Sequence, residues 1–119
     1  MKIAVSCREQ SLESPIDPRF GRTEGFVIYD TDSGDWNWRA NGQNLQLAQG
    51  AGLQTAQNVA DAGAKAVITG HVGPKAFTAL RKGGIDIYLV EGDTVAGAIE
   101  NLKAGRLQPA EGPDRQGHW

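Results

Sequence analysis

Short apolar runs separated by glycine, proline and polar residues form the main hydrophobic pattern of this chain. Five of the runs have the length and composition of β-strands, namely residues 2–7, 25–30, 36–38, 64–69 and 85–90. Turn-forming residues precede the third run, in which Trp36 and Trp38 alternate with polar neighbours. This alternation predicts a hairpin whose returning strand lies at a sheet edge, with the two tryptophans covering one face.

Three further segments carry apolar residues at helical spacing. The first helix is predicted over residues 52–63 and the second over residues 74–84, and glycine closes each of them. Asp93 or Thr94 is suited to cap the third helix, which follows the last strand.

The order of these elements, β-ββ-α-β-α-β-α, predicts the architecture. The later β-α-β units require parallel strands joined by right-handed crossovers, and the early hairpin adds antiparallel strands at one side. We therefore expect an α/β protein, a three-layer α/β/α sandwich on a mixed five-stranded sheet. Residues 1–107 would form this domain, and the polar residues 108–119 a flexible C-terminal tail.

Composition then limits the class of protein. The 119 residues suit one domain, and 39% apolar with 22% charged residues is typical of a folded globular chain. The chain enters its first strand at once and contains no bilayer-spanning run, so we expect no signal peptide, no membrane partner and a cytoplasmic location. The net charge of −2 argues against a nucleic-acid partner. The single cysteine cannot form an internal disulfide or a four-cysteine metal site.

Ligands of open α/β sheets sit beyond the carboxyl ends of the parallel strands. In the predicted fold this edge brings together the loops at residues 7–24, 70–74 and 91–93, and the loop at 41–52 should join them. We call this region the mouth.

Three of the seven arginines, Arg8, Arg19 and Arg22, lie in the first of these loops, with Phe20 and Gly21 between the last two. Guanidinium groups keep their charge and offer several donors in a fixed geometry, which suits an anionic ligand. The alternative is a solvated loop that carries ordinary surface arginines.

Two glycine-rich segments precede predicted helices at the mouth. Their residues are Gly50 and Gly52 before the first helix, and Gly70, His71, Val72 and Gly73 before the second. Glycine lets backbone N–H groups approach a ligand, and a helix N-terminus adds partial positive charge, so the two segments and the arginines predict an anion-binding site. Glycine also ends strands for geometric reasons alone, and neither segment matches a nucleotide-binding fingerprint.

Histidine and cysteine supply the candidates for metal chemistry. His71 can ligate a metal, donate to an anion, transfer a proton or have no role at all. Cys7 ends the first strand, where a thiolate beside Arg8 would reach the mouth, but the favoured interpretation is a small buried apolar residue. His118 belongs to the predicted tail and is interpreted as solvated.

Taken together, these segments resemble the dinitrogenase iron–molybdenum cofactor biosynthesis family, which includes NifX and the C-terminal part of NifB. The resemblance rests on MKIAV at 1–5, SPIDPRFGR at 14–22 followed by Phe26, GAG at 50–52, GHVGPKAF at 70–77 and GRL at 105–107. It covers residues 1–107, and the order and spacing of the segments are more specific than any one of them.

The resemblance implies a ribonuclease H-like fold and the non-catalytic binding or carriage of a metal–sulfur cluster. Within the family the stand-alone orange proteins of sulfate-reducing bacteria are a close likeness, and they hold a molybdenum–copper sulfide cluster without covalent attachment. The implied cofactor is a molybdenum-containing cluster, either a Mo–Cu sulfide or a precursor of the iron–molybdenum cofactor, and the implied partner is a cluster donor or recipient protein. Many relatives carry histidine where this chain has Arg19. Charge and hydrogen bonding would therefore replace coordination there, which leaves His71 as the candidate metal ligand.

Three other functions remain open. A small enzyme acting on a phosphorylated or nucleotide ligand would use the same anion-binding mouth. A ribonuclease H-like nuclease rests on fold analogy only, and its carboxylates are missing, since Asp30, Asp32 and Asp35 share one turn while Asp17 stands alone in its loop. A protein-interaction module would use the tail.

Overall fold

The computed structural model describes residues 1–41 and 50–113, and within these ranges the five predicted strands and three predicted helices all form. In chain order the elements are β1 Lys2–Cys7, the 3₁₀ helix Phe20–Arg22, β2 Gly25–Asp30, β3 Trp36–Ala40, α1 Ala51–Asp61, β4 Ala64–Thr69, α2 Pro74–Lys82, β5 Asp86–Leu89 and α3 Val95–Lys103. The 3₁₀ helix lies in the loop after β1, which the sequence pattern leaves irregular. Element ends differ from the predicted ones by one or two residues.

The sheet has the strand order β3-β2-β1-β4-β5. β2 is antiparallel to both β1 and β3, and the hairpin therefore occupies one side of the sheet. β1, β4 and β5 run parallel, joined by helical crossovers. The mixed sheet and the ribonuclease H-like arrangement are thus confirmed.

Each face of the sheet carries its own apolar core, so the predicted three layers are present. Alternate residues of β1 point to opposite faces, since Ala4 joins the core beneath α1 and α2 whereas Ile3 and Val5 join the core beneath α3. Trp38 packs against the core on the α3 side, as the hairpin pattern predicts. Its ring lies directly over Gly25, where a side chain would collide with it.

The helix ends follow the predicted capping chemistry. Gly63 and Gly84 follow α1 and α2 with φ of 82° and 73°, a region that glycine enters without strain. Thr94, rather than Asp93, is the N-cap of α3, and its Oγ1 accepts the Gly97 N–H at 3.1 Å.

The chain beyond α3 runs back toward β5. Ala110 donates its N–H to the carbonyl oxygen of Ile87 at 2.7 Å and packs against the core beneath α1 and α2. The domain boundary at residue 107 and the flexibility of residues 108–119 stay predictions, and residues 114–119 lie outside the described part. Among the described residues, no helix combines the length and apolar character needed to cross a membrane.

Candidate functional site

The loop after β1 folds back onto the carboxyl end of its own strand. Asp17 donates its N–H to the Ser6 carbonyl oxygen at 2.9 Å, and the Ser6 hydroxyl donates to the Asp17 carbonyl oxygen at 2.6 Å. Thr69, which ends β4, places its hydroxyl 2.8 Å from that of Ser6. All three residues are buried. The Asp17 backbone is therefore held where the parallel strands β1 and β4 end.

An earlier part of the same loop covers the start of α3. Val95 and Ala96 donate their backbone N–H groups to the carbonyl oxygens of Ser14 and Leu12 at 3.0 and 2.9 Å. Ile16 in turn donates to the Asp93 carbonyl oxygen at 3.0 Å. The residue 91–93 loop thus meets the first loop, as predicted. Because the first N–H groups of α3 are used in these bonds, this helix N-terminus does not act as an anion site.

The later part of the loop pairs with the segment that joins β4 to α2. His71 donates its N–H to the Pro18 carbonyl oxygen at 2.7 Å, and Phe20 donates to the His71 carbonyl oxygen at 3.3 Å. Arg19 and His71 form a short parallel bridge in this way. A Cβ at Gly70 would lie 2.6 Å from the Pro18 Cα, so the two segments come this close only because residue 70 is glycine. Two predicted site segments are therefore joined by backbone pairing.

Phe20 and Val72 anchor these two segments in the core. Both side chains are fully buried, and the Phe20 ring meets the edge of the Phe26 ring at a centroid distance of 5.7 Å. Their side chains face the core and not solvent, so they present only backbone groups to a ligand at the mouth.

The N-termini of α1 and α2 lie next to each other. A Cβ at Gly52 would be 3.2 Å from the Cβ of Ala76, and both residues belong to the first turns of their helices. The N-cap residues are Gly50, in the left-handed conformation, and Gly73, neither of which has a side chain that can cap. Uncapped helix N-termini favour negatively charged ligands.

The 3₁₀ helix connects these helix starts to the arginine loop. The hydroxyl of Thr55 in α1 donates to the Gly21 carbonyl oxygen at 3.4 Å, and the buried Asn41 amide donates to the carbonyl oxygen of Thr23 at 3.1 Å. The predicted glycines at 50, 52, 70 and 73 thus lie around the same edge of the sheet as the arginines. Residues 42–49 of the loop that should join the mouth are outside the described residues.

A depression of about 650 Å³ opens among the predicted arginines. Its lining consists of Arg8, Glu9, Asp17, Arg19, Arg22 and Glu24. The sequence pattern singles out the three guanidinium groups, and the structure adds three carboxylates beside them. The formal charges of the lining cancel, so the arrangement of the guanidinium groups matters more here than a local excess of positive charge.

Asp17 is the buried member of this lining. Its side chain is 2% exposed, and it forms ion pairs with Arg8, from Nε to Oδ2 at 3.9 Å, and with Arg19, from Nε to Oδ1 at 3.7 Å. Asp17 Oδ1 also accepts the Arg19 backbone N–H at 3.0 Å. The folding of the loop brings Arg8 to the other side of Asp17, and the sequence pattern does not predict this ion pair. The sequence feature that could have indicated Asp17 is its position between two prolines in the loop that follows a strand end.

Cys7 is fully buried, which confirms its interpretation as a small apolar residue. Burial raises the pKa of the Cys7 thiol to about 11, against a weaker opposing effect of the Val27 backbone N–H, and the negative charge of Asp17 adds to the rise. A neutral thiol in this position is a poor metal ligand.

Few coordinating side chains gather at the mouth. Over residues 1–41 and 50–113, no group of three His, Cys, Asp or Glu side chains is arranged to hold a metal ion. His71 is half-buried and lies beside Arg19 through the backbone bridge, and it is the one imidazole among the described residues. Its role as a metal ligand, and that of the arginines and glycines in cofactor binding, stay predictions.

Comparison with known proteins shows which structures and sequences this chain is similar to. Its fold is that of the apo orange protein from Desulfovibrio gigas, at 40% sequence identity and a TM-score of 0.94, over 96% of each chain. A proposed NifB protein from Thermotoga, solved by NMR, is 34% identical with a TM-score of 0.84 over 98% of each chain. An uncharacterized protein of Methanocaldococcus jannaschii is 30% identical over 113 residues, which is 93% of this chain and 92% of that protein.

A family model described as dinitrogenase iron-molybdenum cofactor matches residues 1–105. The match includes every predicted site residue, from Arg8 through Gly73. It also includes β1 to β5 and all three helices. The protein therefore belongs to the dinitrogenase iron–molybdenum cofactor family.

Proposed function

We propose that this protein binds and carries an anionic metal–sulfide cluster at the mouth without catalysing a reaction. The observation that carries the proposal is the convergence of Arg8, Arg19 and Arg22 on one depression of about 650 Å³ at the carboxyl edge of the sheet. Membership of the iron–molybdenum cofactor family supports a cluster as the ligand. Guanidinium N–H groups donate hydrogen bonds to cluster sulfides and offset their negative charge.

The donor set decides what kind of cluster fits. The chain's single thiol is buried and its pKa is raised to about 11, so thiolate coordination of the kind found in iron–sulfur proteins is unfavourable. A cluster held here brings its own sulfide ligands and leaves at most one position for His71. Carriage without covalent attachment follows, because arginines and backbone N–H groups hold the outer surface of the cluster.

Molybdenum is the proposed metal, and a molybdenum–copper sulfide is the form that the likeness to orange proteins favours. An iron–molybdenum cofactor precursor is the other member of the same chemical class. The proposed partners are proteins that donate or receive the cluster, and the proposed location is the cytoplasm. The open, charged lining of the depression supports uptake and release of a preformed anion.

Reconstitution tests the proposal. Protein mixed with tetrathiomolybdate and Cu(I) and then desalted is expected to keep a visible chromophore and a roughly stoichiometric amount of metal. Mixtures without copper or without protein, carried through the same column, serve as controls. A colourless, metal-free protein after this treatment contradicts the proposal. Thermal stabilisation by nucleotides together with none by thiomolybdate would instead favour an enzyme of phosphorylated ligands.

A further inference from the structure

Asp17 is the one carboxylate of the depression that is buried, and two guanidinium groups approach it from different parts of the chain. Arg8 directly follows β1, whereas Arg19 lies two residues after Asp17 itself. The side chains of Arg8 and Arg19 remain 60% and 49% exposed. Their outer parts are thus available to the cavity while their Nε atoms face Asp17.

The geometry of these pairs orients the two arginines. In each pair the Nε atom approaches a carboxylate oxygen of Asp17, at 3.9 Å for Arg8 and 3.7 Å for Arg19. These distances exceed hydrogen-bond length, so charge attraction and not a fixed bond holds the guanidinium groups in place. A long arginine side chain otherwise loses considerable conformational entropy when it binds a ligand.

Asp17 is itself held rigidly. Its N–H and carbonyl oxygen both bond to Ser6, and the Ser6 hydroxyl also contacts Thr69 at the end of β4. The Asp17 backbone is therefore anchored at the ends of two adjacent strands, and Oδ1 of its carboxylate accepts the Arg19 N–H at 3.0 Å. This makes the carboxylate a fixed reference point for both arginines.

We infer that Asp17 is a positioning residue that pre-orders Arg8 and Arg19 for an anionic ligand, an inference that rests on the proposed function. This inference predicts the opposite effect on ligand affinity from the one that net charge alone predicts. A carboxylate at an anion site repels the ligand, and its removal should strengthen binding if net charge alone decides affinity. If Asp17 positions the arginines, its removal weakens binding instead.

Two matched substitutions separate these effects. Asp17→Asn removes the charge but keeps an Oδ1 that accepts the Arg19 N–H, so the turn of the loop is preserved. Glu24→Gln removes the same charge from an exposed carboxylate of the same depression. With tetrathiomolybdate as the probe, Asp17→Asn is expected to bind roughly tenfold more weakly, as when an orienting group is lost at a metal site. Glu24→Gln is expected to bind about twofold more tightly.

The inference is overturned if both substitutions strengthen tetrathiomolybdate binding equally, if both weaken it equally, or if Asp17→Asn leaves it unchanged.

A measurement without ligand tests the inference even if the wild type does not bind the probe. NMR relaxation of the arginine Nε–H groups should show higher order parameters for Arg8 and Arg19 in the wild type than in Asp17→Asn, while Arg81 is unchanged. Equal order parameters in the two proteins refute the positioning role, whereas a wild type that fails to bind the probe counts only against the proposed function. If Asp17→Asn does not fold, the order parameters of Arg8 and Arg19, which pair with Asp17, are compared with that of Arg39 within the wild type. Values for Arg8 and Arg19 no higher than the value for Arg39 overturn the inference.

Discussion

The backbone N–H of His71 donates to the carbonyl oxygen of Pro18 at 2.7 Å, and this bond joins the two segments on which the candidate site depends. One segment carries Arg19 and the other begins the loop that leads into α2. Because the pairing is a parallel bridge between backbones, it does not depend on side-chain identity, except at Gly70. The two segments of the candidate site are therefore joined by the backbone of the fold itself.

Gly70→Ala tests this junction. A Cβ would lie 2.6 Å from the Pro18 Cα, so one segment must move and the substitution is expected to destabilise the fold by about 1–3 kcal/mol. Urea unfolding followed by circular dichroism measures the change. Gly112→Ala is the control, because open space surrounds that position, and its effect should stay within about 0.5 kcal/mol. Equal stability of the two variants would show that the close approach is not a constraint.

Removing arginines at the depression should weaken cluster retention. The double variant Arg19→Ala/Arg22→Ala is expected to lose most of the chromophore on desalting, and the remainder should decrease steeply with ionic strength because salt screens exposed charges. Arg81→Ala is a suitable control, since Arg81 pairs with Asp86 at the opposite end of the sheet. Retention equal to that of the wild type at all salt concentrations would remove the arginines from the proposed site.

His71 and His118 allow a direct test of metal coordination. If His71 is a ligand, His71→Ala changes the visible spectrum of the reconstituted protein and lowers its metal content, whereas His118→Ala leaves both unchanged. The two variants remove the same side chain from the only two histidine positions of the chain. An unaltered spectrum in His71→Ala would leave charge and hydrogen bonding as the mode of binding.

The burial of Cys7 makes the free energy of unfolding depend on pH in the alkaline range. Burial raises the pKa of the thiol from 9.0 to about 11, so the unfolded chain loses this proton first. The stability that the neutral thiol contributes is complete below pH 9 and is lost as the pH rises toward 11. Between pH 8 and pH 10 the wild type should lose about 1 kcal/mol more free energy of unfolding than Cys7→Ala. Urea titrations at the two pH values measure this, and parallel losses would contradict the burial of a neutral thiol.

The fold could be predicted almost completely from sequence because its signals are local. Apolar runs, the Pro74 helix start and the glycines after α1 and α2 each act within a few residues, and the β-α-β order then determines the handedness of the crossovers. Family-specific segments supplied the ribonuclease H-like arrangement. The 3₁₀ helix Phe20–Arg22 was missed because its order comes from the burial of Phe20 in a distant core.

The site was predicted less completely because its contacts also join residues that are distant in the sequence. The sequence shows that three arginines are near one another, but not that a buried carboxylate lies among them. Asp17 contacts Arg8 only after the loop has folded back onto Ser6, and no local pattern encodes that return. The sequence likewise does not show that the side chains of Phe20 and Val72, two of the predicted site residues, are fully buried, and their part in binding stays a prediction.

Whether the protein carries a molybdenum–sulfide cluster can be measured by metal analysis and an absorption spectrum of the protein purified from its native host. A protein that carries the proposed cluster is expected to contain molybdenum together with inorganic sulfide, and to show a visible absorption band that is lost when the protein is unfolded. A colourless protein that contains neither molybdenum nor sulfide, purified from cells supplied with molybdate, would contradict it.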